Sequence, residues 1–223
     1  MNMGVYLFLL LFALMFSGMP IALGVGMAAI LTTGIWGQIG LELIFQQYYQ
    51  GVNSFALLAV PLFMLAGELM TRLGLVDDII LLAKLLVGRM RGSLAQINIV
   101  ASVFFATMSG SAVADTAAIG GMLLPAMEKE GYDKEFSVAV TAASSIIGPI
   151  IPPSITMIVY GSLMSNVPTG AMFAAGIVPG VLIGLGEMAL VYYFSRKRNY
   201  PRETKRYTAK EASAIAVRTL PAV

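Results

Sequence analysis

Long apolar segments separated by short polar interruptions make up most of this chain. Residues 3–36 are apolar except for Ser-Gly-Met-Pro at 17–20, a pattern that predicts either one long kinked helix or two short helices. Residues 37–50 mix Glu, Gln and Tyr with Leu and Ile, which favours an interfacial segment over a spanning one. A helix is predicted over 55–70, and the amphipathic pattern of 75–90 predicts a helix lying along a membrane surface.

The next segment, residues 92–127, is a 36-residue run whose single ionisable side chain is Asp115. Two apolar arms, 93–108 and 116–127, flank a polar stretch that reads Ser-Gly-Ser-Ala-Val-Ala-Asp. Each arm is shorter than the roughly 20 residues that a spanning helix needs. The pattern predicts a re-entrant helical hairpin with its tip near mid-membrane. Lipid cannot satisfy backbone that leaves a helix, so we expect the tip to be buried in protein or to line a wet cavity.

After a turn at residues 131–133, an apolar segment is interrupted at 148–154 by Gly-Pro-Ile-Ile-Pro-Pro-Ser. Three prolines in five residues cannot continue an α-helix. Because the apolar pattern resumes at 155–164, we predict one discontinuous spanning helix over 133–164. Residues 171–194 predict a final span, in which Gly176, Gly180 and Gly184 have the spacing of a helix-packing face.

Composition places the chain in the class of all-α polytopic membrane proteins, because 58% of its 223 residues are hydrophobic and 12% are charged. The absence of Cys and His excludes disulfides, thiolate chemistry, imidazole metal sites and histidine acid–base catalysis. No nucleophile–base pair, phosphate loop or metal-ligand cluster stands out. We therefore expect neither an enzyme nor a nucleic-acid-binding protein.

Basic residues indicate the orientation in the membrane. Six of the 14 Lys and Arg lie within residues 196–206, which places the tail in the cytoplasm by the positive-inside rule. Counting back across two passages puts both ends of the hairpin on the same side. Arg89 and Arg91 at the hairpin entry agree with that placement.

Transporters bind ions where re-entrant tips and broken helices meet, because helix ends expose N–H groups and carbonyls at mid-membrane depth. Here the tip offers the hydroxyls of Ser109 and Ser111 and carbonyls around Gly110. The break offers carbonyls near Gly148, Ile150 and Ile151 and the hydroxyls of Ser154 and Thr156. Neutral oxygen ligands suit Na⁺ better than a transition metal, so Na⁺ is the one metal ion expected and no other cofactor is.

Three roles are open for Asp115: capping the second hairpin arm, binding a cation directly, or carrying a proton. Glu68 and Glu187 are the other charges inside apolar runs, and each lies near a helix end or can extend its carboxylate toward water. Each break could also merely kink a helix, with its hydroxyls bonded to its own backbone.

Several separated motifs resemble the large membrane subunit of TRAP transporters. They are Ser-Gly-Ser-Ala-Val-Ala-Asp-Thr-Ala-Ala-Ile-Gly from Ser109, Leu-Pro-Ala-Met from Leu124, Ile-Gly-Pro-Ile-Ile-Pro-Pro-Ser from Ile147, and Ala-Val-Pro-Leu-Phe-Met-Leu-Ala-Gly-Glu-Leu-Met from Ala59. The resemblance covers essentially the whole chain. It implies a sodium-coupled, elevator-type importer of organic acids, such as C4-dicarboxylates or sialic acid, in a bacterial or archaeal inner membrane. Its implied partners are a periplasmic substrate-binding protein and a small membrane subunit.

The resemblance also assigns site residues. Ser109, Gly110, Ser111 and Asp115 match the hairpin's sodium-site region, and the facing loop of the broken helix is matched by Gly148, Pro149, Pro152, Pro153 and Ser154. Together with the break carbonyls considered above, the candidate Na⁺ ligands are Ser109, Gly110, Ser111, Asp115, Gly148, Ile151, Pro152 and Ser154. The candidates for binding substrate are Ser111, Pro153, Ser154 and Thr156.

Family members contain two inverted repeats and are about twice this length, so the resemblance implies that the chain is one half whose second repeat is missing. Inverted repeats need an odd number of passages each, which favours two short passages in residues 3–36. The expected division is membrane and surface helices at 1–91, hairpin at 92–131, discontinuous helix at 132–168, final span at 169–195, and basic tail or linker at 196–223.

A second class of function stays open beside transport. A pore-forming subunit also uses re-entrant hairpins, although it favours symmetric assemblies with rings of filter residues. An accessory membrane subunit without transport activity of its own is the other alternative. An intramembrane aspartyl protease is disfavoured, because no second Asp lies within a predicted spanning segment.

The charge pattern yields a topological prediction. Since the chain has no native Cys, single cysteines at Lys129 and Lys205 are clean reporters. Both should react with a membrane-impermeant thiol reagent from the cytoplasmic side only. Labelling of either position from the periplasmic side of intact cells would contradict the assigned orientation.

Overall fold

The structure, a computed structural model, describes residues 2–36, 40–53, 55–164 and 166–202 together with residues 215 and 219. This part of the chain is helical and contains no strand, in agreement with the predicted all-α class. The helices are α1 (Met3–Phe16), α2 (Ile21–Trp36), α3 (Leu41–Val52), α4 (Phe55–Arg72), α5 (Leu75–Val87), α6 (Ser93–Ser109), α7 (Ala112–Asp115), α8 (Gly121–Lys129), α9 (Lys134–Ser145), α10 (Ile155–Leu163) and α11 (Thr169–Lys197). A π-helical turn (Thr116–Gly120) joins α7 to α8.

The chain divides into two compact units, Met1–Ser54 and Phe55–Val223. In the first unit α1 and α2 pack against each other, and the interruption at 17–20 separates them into two helices. Gly18 makes the reversal possible with a φ of +84°, a conformation that favours glycine. Of the two alternatives for residues 3–36, two short helices are confirmed. The sequence-based division at residue 91 stays a prediction.

In the second unit α6 is the central helix. Of its 17 residues, 13 are buried, and it contacts α4, α5, α8, α9 and α11. The apolar face of α5 lies against α6, where Ile79 and Ala83 are fully buried. The amphipathic pattern of α5 therefore reflects packing on protein. Its placement along a membrane surface stays a prediction.

A helical hairpin follows, as predicted, with α6 as its first arm and the continuous stretch from α7 through the π-helical turn to α8 as its second. The second arm begins at Ala112 and not at the predicted Thr116, because the side chain of Ser111 accepts a hydrogen bond from the Ala114 N–H and caps the arm. At 1.5 Å per residue, the 17 residues of α6 span about 26 Å of a hydrocarbon core that is about 30 Å thick. A tip near mid-membrane therefore requires that the arms be tilted or begin outside the hydrocarbon.

One helix among the described residues, α11, is long and apolar enough to cross a membrane by itself, which agrees with the predicted final span. The three glycines predicted as a packing face are buried. Gly176 lies against the carbonyl of Ile150, Gly180 against the side chain of Ile151, and Gly184 against Val103. A side chain at Gly176 or Gly180 would collide with the loop between α9 and α10, so the small residues bring α11 close to that loop.

The ends of α8, α9 and α11 are joined by a group of five side chains, here called the clasp: Tyr132, Asp133, Phe136, Arg198 and Tyr200. Tyr200 stacks on Tyr132 with ring centroids 4.4 Å apart, and its hydroxyl donates to Asp133 Oδ2 at 2.6 Å. Arg198 also donates to that oxygen and lies over the Phe136 ring. Immediately after the clasp, the Pro201 carbonyl accepts from the Gly92 N–H at 3.0 Å. The chain after α11 is thereby fastened to the base of the hairpin.

Two glycines allow a test of the hairpin tip. Gly110 and Gly131 both have positive φ (+58° and +84°), but a Cβ at Gly110 would collide with the Pro153 carbonyl, whereas one at Gly131 meets nothing within 4 Å. Ala at either position should cost about 1–2 kcal/mol for the left-handed backbone. Gly110→Ala should cost about 1–3 kcal/mol more through overpacking. Denaturant unfolding in detergent measures both, and equal losses would show that the tip does not pack tightly on the break.

The clasp predicts a pH dependence. The Tyr200 hydroxyl, followed by the Arg198 guanidinium, lowers the pKa of the Asp133 carboxyl. A lowered pKa contributes stability that is present above the unfolded-state pKa and is lost as the pH falls through the folded-state pKa. Tyr200→Phe keeps the ring stacking but removes the donor, so the folded-state pKa of Asp133 rises toward its unfolded value. The variant should be less stable at neutral pH, and its loss of thermal stability on acidification should be smaller and end at a higher pH. The exposed Tyr193→Phe on α11 is the matched control, and identical acid profiles for the two variants would contradict the assignment.

Candidate functional site

The hairpin tip and the helix break lie against each other. The Gly110 carbonyl accepts a hydrogen bond from the Ile155 N–H at 3.5 Å, and the Cα of Gly110 faces the Pro153 carbonyl. A Cβ on Gly148 would lie 3.1 Å from the Ser111 carbonyl carbon, so backbone approaches backbone there as well. Among the predicted site residues, Gly110 and Ser111 of the tip therefore lie beside Pro153 and Gly148 of the break.

At the tip, both serine hydroxyls point back to the local backbone. Ser109 is buried and its Oγ accepts from the Ser111 N–H at 3.4 Å, while Ser111 is half-buried and its Oγ accepts from the Ala114 N–H at 3.3 Å. A hydroxyl that accepts from an N–H still offers a second lone pair to a cation. Both serines also line a cavity of about 480 Å³ between α4 and the hairpin.

At the break, the hydroxyls form a local network around the Pro149 carbonyl. Ser154 is fully buried, donates to Pro149 O at 2.6 Å, and caps α10 by accepting from the Met157 N–H at 3.2 Å. Thr156 Oγ1 lies 2.9 Å from Ser154 Oγ and 3.3 Å from Pro149 O. Pro152 and Pro153, joined by a cis peptide bond, keep 151–153 out of the helix. The carbonyls of Gly148 and Ile151 consequently lie outside regular helix, as the break predicted.

Asp115 does not cap the hairpin arm, so the capping alternative is wrong. Ser111 is the cap, and Asp115 lies one turn further along the arm, fully buried. Its Oδ2 accepts from the Ser102 hydroxyl at 2.8 Å. Within the described part of the chain, its Oδ1 accepts no hydrogen bond of normal geometry, although the Ser145 hydroxyl is near enough to interact with the carboxylate. A buried carboxylate oxygen without a donor is costly in protein and is the kind of group that a bound cation stabilises.

Sequence reasoning missed a set of polar side chains between α6, α9 and the second arm, here called the polar seam: Asn98, Ser102, Asp115, Thr141 and Ser144. All five are 2% exposed or less. Thr116 and Ser145 extend it, with their hydroxyl oxygens 2.7 Å apart. The spacing of these polar residues could have indicated the seam. Residues 98 and 102 fall on one face of α6, and residues 137, 141, 144 and 145 fall on one face of α9.

The other two acidic candidates are placed differently. Glu68 is exposed and pairs with Arg72 at 2.7 Å, at the border of the cavity that Ser109 and Ser111 line. Glu187 is half-buried and lines an apolar cleft of about 350 Å³ between α9 and α11, together with Phe136 and Leu190. Neither carboxylate is hydrogen-bonded to the hairpin tip or the break.

Comparison with known proteins identifies the family of this chain. The family model described as "Tripartite ATP-independent periplasmic transporter, DctM component" matches residues 8–223. The chain is 39% identical over 196 residues to the sialic acid TRAP transporter large permease protein SiaM of Vibrio cholerae, which covers 86% of this chain and 46% of that protein. It is 38% identical over 198 residues to the C4-dicarboxylate TRAP transporter large permease protein DctM of Vibrio cholerae, covering 88% and 44%.

A third relative is the sialic acid TRAP transporter permease protein SiaT of Haemophilus influenzae, 40% identical over 202 residues, or 90% of this chain and 33% of that protein. The chain thus spans less than half the length of each of these relatives. All three relatives are designated as permeases, which confirms the expected family, one of transporter subunits and not of enzymes. The chain belongs to the DctM component family of the tripartite ATP-independent periplasmic (TRAP) transporters.

Proposed function

We propose that this chain supplies a sodium site to a sodium-coupled importer of organic acids in a bacterial or archaeal inner membrane. The substrate class follows from the relatives, which are designated for sialic acid and C4-dicarboxylates. In this proposal a periplasmic binding protein delivers the substrate, a small membrane subunit completes the complex, and a second inverted repeat stands opposite the present one. An elevator movement of the hairpin and broken helix then carries the site across the membrane.

The contact between the hairpin tip and the break carries the sodium proposal. At mid-membrane depth, irregular backbone is tolerated only where protein or a wet cavity satisfies it. Here two such segments meet, where Gly110 lies against Pro153 and Ile155 and Ser111 lies against Gly148. The hydroxyl and carbonyl oxygens that we propose as ligands belong to these segments: Ser109, Gly110 and Ser111 from the tip and Gly148, Ile151 and Ser154 from the break. Carbonyls and hydroxyls are hard, neutral ligands that suit an alkali cation. Asp115, one turn from the tip, supplies a compensating negative charge.

The start of α10 suits the substrate carboxylate. A helix N-terminus presents N–H groups and a positive dipole end to an anion. The Ile155 N–H donates to the Gly110 carbonyl and the Met157 N–H donates to the Ser154 hydroxyl, so a carboxylate would compete with these two acceptors. Pro153 and Ser154 directly precede this start and Thr156 lies in its first turn, while Gly110 faces it from the tip and Ser111 is the next residue of the tip. The hydroxyls of Ser154 and Thr156 now bond Pro149 and each other, so substrate binding would exchange these local bonds for bonds to a carboxylate.

Uptake as a function of Na⁺ concentration tests the proposal. The chain is co-expressed with the remaining segment of the Vibrio cholerae sialic acid permease, a small membrane subunit and a binding protein, and labelled sialic acid is supplied. Ser109→Ala and Ser111→Ala each remove one ligand oxygen with little change in volume. Loss of an interaction worth about 0.5–1.5 kcal/mol should raise the half-saturating Na⁺ concentration roughly 2- to 13-fold. Asp115→Asn, which removes the charge, should abolish the sodium dependence.

Ser162→Ala is the matched control, because the Ser162 hydroxyl donates to its own helix at Val159 O. Its sodium curve should coincide with that of the unmodified chain. The chain expressed alone should give no concentrative uptake, since one repeat does not enclose a substrate site. Unchanged sodium curves in both tip variants, with expression matched, would exclude the tip as a sodium site.

A further inference from the structure

The polar seam has a direction that can be read from its donors and acceptors. The Thr141 hydroxyl donates to the Ser137 carbonyl at 3.0 Å, so its oxygen serves as an acceptor toward Asn98. The Asn98 Nδ2 accordingly donates to Thr141 Oγ1 at 2.8 Å, which turns Asn98 Oδ1 toward Ser144. The Ser144 hydroxyl can donate to that oxygen at 3.1 Å or to the Thr141 carbonyl at 3.2 Å. A hydroxyl has a single proton, and neither of these acceptors is Ser102, so in this order of donation Ser144 can serve Ser102 only as an acceptor.

This order leaves the Ser144 oxygen with its lone pairs toward Ser102. Ser102 Oγ lies 2.8 Å from Asp115 Oδ2 and 3.2 Å from Ser144 Oγ, and its one proton serves one of these two acceptors. An ionised carboxylate is the stronger acceptor, so the Ser102 hydroxyl donates to Asp115 when no cation is near. A cation on Asp115 weakens that carboxylate as an acceptor, and Ser144 becomes the better partner.

We propose that Ser102 is a positioning residue whose hydroxyl turns from Asp115 to Ser144 when a cation binds Asp115. This reorientation of the Ser102 hydroxyl couples cation binding in the hairpin to α9, the helix that leads into the break. Ser144 is the second positioning residue, kept as an acceptor by Asn98 and Thr141. This inference rests on the proposed sodium site and adds a hydrogen-bond pathway that couples the hairpin to the helix before the break.

Sodium binding by the purified chain tests this coupling directly, without transport. Thermal unfolding in detergent is followed against NaCl, with choline chloride keeping the ionic strength constant. Ser144→Ala leaves the sodium-free contact between Ser102 and Asp115 intact but removes the acceptor used in the sodium-bound state. Its half-saturating Na⁺ concentration should rise roughly 2- to 13-fold, the equivalent of one hydrogen bond. In a Ser102→Ala background, Ser144→Ala should have no further effect, because the proton that needs the acceptor is gone.

Ser137→Ala is the matched control. Ser137 is a fully buried serine on the same helix, but its hydroxyl donates to the Asp133 carbonyl outside the seam. It should lower the unfolding temperature without moving the sodium curve. A Ser144→Ala curve that coincides with that of Ser137→Ala, or a Ser144→Ala effect that persists in the Ser102→Ala background, would overturn the coupling and leave the sodium site standing. A native chain that does not respond to Na⁺ would overturn both.

Discussion

The need to satisfy backbone groups away from water is the constraint on which this structure depends. A helix satisfies its own N–H and C=O groups, but Gly110 at the hairpin tip and the Pro-rich break leave the helix. The two segments satisfy each other's backbone groups, because the Gly110 carbonyl accepts a hydrogen bond from the Ile155 N–H at the start of α10. The same close approach requires glycine at 110, where a Cβ would overlap the Pro153 carbonyl, and favours it at 148, where a Cβ would lie 3.1 Å from the backbone of Ser111. Tight packing and binding chemistry thus have one origin.

A second consequence of removing water is that polar side chains within the bundle must pair among themselves. Asn98, Ser102, Thr141 and Ser144 do so between α6 and α9, and they place a hydroxyl against the carboxylate of Asp115. Buried networks of this kind specify a packing arrangement more than they add stability, since the paired groups were well solvated in water. Their contribution here is to fix the rotation of α9 relative to the hairpin.

Much of this arrangement could be predicted from the chain itself, because lipid allows few solutions. The interruptions at residues 17–20, 109–111 and 148–154 all end helices, since glycine and proline act locally. The predicted start of the second arm was wrong by four residues, because both Ser111 and Asp115 are acceptable caps and composition does not rank them. A tertiary contact determines which residue is the cap, since the Asp115 carboxylate accepts a hydrogen bond from Ser102 on the other arm of the hairpin. The clasp was also beyond local reasoning, because Asp133 and Tyr200 are 67 residues apart.

The fastening of Pro201 to Gly92 has a mechanical meaning. Without it, a polypeptide continuing past α11 would start from the free end of a helix of 29 residues and could swing independently of the hairpin. With it, the chain departs from the hairpin's own root, alongside the first turn of α6. A rigid-body displacement of the hairpin would therefore move the polypeptide at Pro201 by the same distance, because the Gly92–Pro201 hydrogen bond joins the two.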